Sequence, residues 1–101
     1  MFAPLVSALE DQEPRVRSAA VSALGKLQDT RIHDVLLEVL NDPDGRVRSA
    51  AVLAFGRVGD ERALPALTWI QQNDPGHSGA NKVKDHATYA IQRIQERQQK
   101  S

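Results

Sequence analysis

Apolar residues along this chain recur at three-and-four spacing and nowhere alternate, so the pattern predicts helices and no strands. Ile32, Val35, Leu36, Val39 and Leu40 draw one stripe over about residues 30–41. Val47, Ala50, Ala51, Ala54, Phe55 and Val58 draw a second. Asp42-Pro43 reads as the N-cap and first-turn proline of that second helix, and Gly59-Asp60 as its end. Asp29 and Asp60 stand where they can cap the helices that follow them.

The pattern repeats. Arg15-Val16-Arg17-Ser18-Ala19-Ala20-Val21 returns unchanged 31 positions later as Arg46-Val47-Arg48-Ser49-Ala50-Ala51-Val52. The register extends upstream through Leu5/Leu36, Leu9/Leu40 and Asp11/Asp42, and downstream through Leu24/Phe55, Gly25/Gly56 and Asp29/Asp60. A decayed third copy, Val83 to Ile94, follows at an offset of 36, which places five inserted residues in the stretch Asn73 to Gly79. The expected organisation is one domain, 1–101, with units at about 1–28, 29–59 and 60–98 and an insertion loop at about 73–80. Each unit is a helical hairpin that cannot bury its apolar stripe alone, so the fold class is all-α, an α-solenoid of three stacked hairpins. Small residues such as Ala19, Ala20, Ala50, Ala51 and Ala87 let the helix axes approach closely. The predicted core of the first copy is Val16, Ala19, Ala20, Ala23, Leu24 and Leu27.

An acidic residue, the arginine of a Val-Arg pair six positions on, an Ala-Ala pair and a Gly together resemble the HEAT repeat, as in Asp11, Val16-Arg17, Ala19-Ala20 and Gly25. The short unit and the Leu24-Gly25-Lys26-Leu27 ending are similar to the phycobilin-lyase-type subclass. The signatures of tetratricopeptide and ankyrin repeats, whose periods are roughly 33–34 residues, are missing. The resemblance implies a right-handed superhelix whose second helices line the concave side. It also implies that Arg17 and Arg48 pair with an aspartate of the same or an adjacent unit, Asp11 or Asp42, rather than with a phosphate. Lys84 breaks that ladder, because the insertion is expected to displace Asp74.

Composition narrows the function. Lys plus Arg number 13 and Asp plus Glu 13, with 41% hydrophobic and 26% charged residues, the mix of a folded water-soluble chain with no bulk field toward DNA or a membrane. No cysteine is present, which excludes disulfides and thiolate chemistry. No apolar run reaches the roughly 18 residues of a membrane span, and Met1-Phe2-Ala3-Pro4 lacks the basic start of a signal peptide, so the expected location is cytoplasmic. The balanced total hides a segregation. Residues 14–28, 45–58 and 80–101 hold 11 basic and 2 acidic side chains; the remainder holds 2 and 11. The outward arc of the second helices therefore reads as basic: Arg15, Ser18, Ser22 and Lys26, then Arg46, Ser49, Leu53 and Arg57, then Lys82, Asp85, Tyr89, Gln92, Arg93 and Glu96.

From that arc, Arg15, Arg46, Leu53, Arg57, Tyr89 and Arg93 are the candidate partner-binding residues, with Leu53 and Tyr89 as apolar anchors and an acidic protein segment as the partner. Trp69 is read as a side chain covered by the inserted loop, and His86, in the place of Ala50, as a packing residue. His33, His77 and His86 do not form a metal site: iron-binding hydroxylases of this repeat class use His-Glu pairs, and the chain has none. No catalytic constellation or phosphate loop is visible, so the expectation is a protein without enzymatic activity or cofactor. Two alternatives stand beside the interaction module: a phycobilin lyase-like or phycobilisome-associated subunit, implied by the subclass resemblance alone, and nucleic-acid binding, against which few exposed aromatics and the neutral charge argue. Phe2, Leu5, Val6 and Leu9 open the chain with apolar positions and the last helix ends in polar ones, from which a longer array or a homodimer is expected.

Overall fold

The computed structural model describes residues 2–27, 29 and 31–99. Among them are α1 (Phe2–Ala8), α2 (Pro14–Leu24), α3 (Ile32–Val39), α4 (Gly45–Val58), α5 (Leu64–Asn73) and α6 (Val83–Gln99), with a 3-10 turn at Glu61–Ala63 leading into α5. The second helices α2, α4 and α6 lie side by side, α4 packed between the other two, while α1, α3 and α5 each lie against the helix that follows. The fold is thus an all-α helical repeat, as the spacing predicts. The expectation of no strands is corrected by one small element. β1 (His77–Ser78) and β2 (Asn81–Lys82) pair antiparallel as a hairpin inside the insertion, outside the helical stack.

Close approach of the second helices rests on two glycines in matching repeat positions. A Cβ on Gly25 would come within 2.8 Å of Ala54 Cβ, and one on Gly56 within 3.3 Å of Ala90 Cα. Any side chain there separates neighbouring helices. Phe55, Leu24, Leu36, Leu67 and Ile94 fill the space beneath.

Three expected core positions lie at the surface instead: Val16, Ala19 and Val58 are exposed. Conversely, Val21 and Val52 are fully buried although neither belongs to the predicted stripe. Ser49, expected on the outward arc, is only 2% exposed. α4, flanked by α2 and α6, buries an arc wider than one amphipathic face: Ser49 meets His86 and Gly56 meets Ala90 on its α6 side.

Helix starts also differ. α4 begins two residues after the Asp42-Pro43 pair: Asp44 is its N-cap, accepting the Arg46 N–H at 2.8 Å. Asp42 cannot cap, because its carboxylate accepts the Asp44 N–H and holds Arg17. Asp29 and Asp60 do accept the N–H two residues on, from Arg31 and Arg62, at 2.9 and 3.0 Å. The Thr30 start expected for α3 lies outside the described residues, which place the helix at Ile32. α1 has no fully buried residue, but the Arg31 guanidinium lies 3.9 Å over the Phe2 ring and ties it down.

Candidate partner-binding face

Repeat register and helix geometry together define the outward surface of α2, α4 and α6. Positions four, seven and eleven apart share one side of a helix. Along α4 that strip is Arg46, Ala50, Leu53 and Arg57; in α2 and its following turn it is Arg15, Ala19, Ser22 and Lys26; on α6 and the residue before it, Lys82, His86, Tyr89 and Arg93. Across the three helices these form four rows. The outer rows are all basic, and the inner rows run small to large, from Ala19 and Ser22 to His86 and Tyr89. Leu53 is 37% exposed and Tyr89 53%. The rows of cations stand about 16 Å apart along the helices, at 1.5 Å per residue.

All six candidate residues therefore lie on one surface, but their charges are not equally free. Arg46 forks onto Asp44, Nε at 3.1 Å and Nη2 at 2.9 Å, and Arg93 pairs with Glu96 at 3.2 Å while lying 5.9 Å from the Tyr89 ring centre. Arg15 and Arg57 make no ion pair among the described residues. His86 and Ala50, which lie outside the basic arc expected from the spacing, sit in the middle of this face. The His86 Nδ1 is 3.1 Å from Ser49 Oγ, which satisfies that buried hydroxyl and fixes the ring between α4 and α6.

Arg17 and Arg48 face the other way and are occupied. Arg17 donates from Nε and Nη2 to the Asp42 carboxylate at 2.9 and 3.1 Å and from Nη1 to the Asp11 carbonyl at 2.8 Å. Arg48 does the same one unit later, to the Asp74 carboxylate at 2.6 and 2.9 Å and to the Asp42 carbonyl at 2.8 Å. The ladder thus runs to the aspartate of the adjacent unit. Asp74 stands ten residues before Lys84 rather than six, as expected, and still serves as the adjacent-unit acceptor for Arg48. A third clamp is marked by no motif in the sequence. Arg97 reaches back from α6 to the Gly56 and Gly59 carbonyls at 2.6 and 2.7 Å, closing the C-terminal end of α4. Trp69 is 61% exposed and uncovered, because the inserted hairpin packs on the start of α4 instead.

At Asp29, Asp44, Asp60 and Asp74 the arginine partner lowers the carboxylate's proton affinity. The Arg31 hydrogen bonds bring Asp29 to about 2, and the Arg46 fork brings Asp44 to about 2. Burial pushes Asp74 up, but Arg48 and the Gly76 N–H outweigh it and leave it below the usual carboxylate range. An unfolded aspartate titrates near 3.9. A depressed native value contributes stability above that pH and loses it as pH falls through the native value. The thermal midpoint is therefore expected to hold steady down to about pH 4 and to drop between about pH 4 and pH 2. A midpoint scan by circular dichroism checks this; a flat profile to pH 2 contradicts it.

Paired helices stacked with their second members side by side define a helical-repeat protein. Comparison with protein-family models matches HEAT repeats over residues 2–92, and the chain belongs to the HEAT-repeat family. The match is to HEAT repeats as such and does not single out the phycobilin-lyase-type subclass. No curated protein matches the chain. HEAT repeats generally mediate protein–protein interaction and are typically non-catalytic. No helix among the described residues is long and apolar enough to cross a membrane.

Proposed function

We propose that this chain is a non-catalytic interaction module that receives an acidic protein segment on the outward face of α2, α4 and α6. The observation that supports this reading is the four-row surface, where Leu53 and Tyr89 stand exposed between cations. Arg15 and Arg57 supply unpaired charge; Arg46 and Arg93 can share their remaining N–H groups with an incoming carboxylate. The ~16 Å between the basic rows admits a helix of roughly 10–12 Å diameter lying across the three helices, its carboxylates reaching both edges.

The test is fluorescence anisotropy with a labelled helical peptide carrying Leu on one face and Glu on its flanks. Wild type is expected to bind it. An Arg46/Leu53/Arg57/Tyr89 quadruple alanine variant, with its fold checked by circular dichroism, is expected to bind at least about tenfold more weakly, or about 1.4 kcal/mol. Equal binding by both removes the proposal. Duplex and single-stranded oligonucleotides form the second arm. Tighter binding to them, with a steep log–log salt slope from counterion release, assigns the face to nucleic acid instead.

A further inference from the structure

We infer that the recess at the C-terminal ends of α2 and α4 is a second binding site, for an aliphatic carboxylate. It encloses about 600 Å³, within the range of about 300–1,000 Å³ typical of small-molecule sites. Leu27 and Val58, the same repeat position in successive units, line it together with Ile32, while Arg57, Arg62 and His33 also border it. The end of α2 and the end of α4 bring these loops together, so the recess exists only because two units stack.

At its rim the apolar lining is open to solvent, above buried Ile32, Leu36 and Phe55. Val58 is 42% exposed, and Leu27 is half-buried. Phe55 at the base is held edge-on by His33, ring centres 5.7 Å apart. An apolar chain entering the recess covers Leu27 and Val58, which accounts for the aliphatic part of the ligand.

The charge of the ligand follows from which ions are already paired. Asp29 is held by Arg31 at 2.6 Å, and Asp60 by Arg62 at 3.0 Å, so both carboxylates bordering the recess are satisfied within their own turns. Arg57 is the lining cation left without a carboxylate partner among the described residues. Its guanidinium can donate two parallel hydrogen bonds to one carboxylate. The complement is one anion attached to one apolar group, either a free aliphatic acid or the C-terminal residue of a chain ending in Leu or Ile. This site shares only Arg57 with the partner face; Leu53 and Tyr89 do not line it.

Isothermal titration of the full chain with octanoate and octanol tests the site. Octanoate is expected to bind at least about tenfold more tightly than octanol, the gap closing in Arg57→Ala, since tenfold is about 1.4 kcal/mol. Val58→Asp is expected to abolish octanoate binding, with Val58→Ala giving a smaller loss should the aspartate variant fail to fold. Leu53→Asp and Tyr89→Ala are expected to leave octanoate binding unchanged, so failure of the partner face and failure of this site are separate results. A short peptide ending in a free Leu carboxylate distinguishes the sources: tighter binding than octanoate assigns a chain terminus, weaker binding a free acid. Absence of octanoate binding, equal affinity for octanol, or wild-type affinity in Arg57→Ala overturns the inference.

Discussion

Replacing Arg48 with alanine is expected to lower the unfolding free energy by about 3 kcal/mol, far beyond the 0–1 kcal/mol of an exposed ion pair. The side chains of Arg48 and Asp74 are 14% and 3% exposed, so removing one partner strands the other away from water. Asp74 would keep only the Gly76 N–H, at 2.7 Å, and the Asp42 carbonyl would lose the Arg48 Nη1 donor. The pair also joins two elements far apart in sequence, the start of α4 and the turn that leads into the inserted hairpin. Arg48→Lys is expected to recover little, because an ammonium cannot make the planar fork. Urea unfolding of Arg48→Ala, Asp74→Ala and the double variant decides the point. The double should be less destabilised than the sum of the singles, since it removes both charges together. Single variants within about 0.5 kcal/mol of wild type, the range of an ordinary surface change, would contradict the expectation.

The ladder also shows where sequence reading succeeds and where it stops. Arg17 and Arg48 were legible because the identical heptapeptides put them in register, and so was Asp42 as an acceptor. Asp74 was not, because the third copy's helix is offset by 36 from the second, and an insertion anywhere before it shifts every expected partner. In space Asp74 lies ahead of the His77–Ser78 and Asn81–Lys82 hairpin, and at 32 residues after Asp42, one beyond the repeat of 31, it still reaches Arg48. Trp69 was misread for a related reason. The hairpin has a better place to pack than over the tryptophan, against the start of α4, where Gly45 has no room for a Cβ beside the His77 backbone.

The partner face was legible in outline because outward positions on a helix follow from periodicity alone. What the periodicity could not supply was the number of neighbours each helix has. Ser18 and Ser49 occupy one repeat position, yet Ser49 is sealed by His86 of α6, a contact that needs the third copy folded alongside. Charge counting likewise overstated the free positive charge, since the Arg46 and Arg93 pairs are formed by residues two and three positions away. The recess was invisible to sequence: no motif marks Leu27 and Val58 as neighbours until two units stack.

Phe55→Ala is expected to cost about 3–5 kcal/mol, a large part of the 5–15 kcal/mol that holds a domain of this size together. Phe55 is the largest fully buried side chain and stands where α3 and α4 meet, edge-on to His33. Its loss removes both the transferred apolar surface and the contacts of the atoms left around the void. The magnitude depends on whether that void collapses. Gly56 and Gly59 follow in the chain, and their carbonyls are pinned by Arg97, so the end of α4 cannot slide inward to fill it. Phe55→Leu is a sharper probe, because the first unit already uses Leu24 at this register. If the position needs only an apolar residue of about that volume, the leucine variant should lose less than about 1.5 kcal/mol and keep a single cooperative transition. Chemical denaturation of both variants reads this directly. An alanine variant no less stable than the leucine one would mean that Phe55 does not join the units, and that the repeat core lies elsewhere.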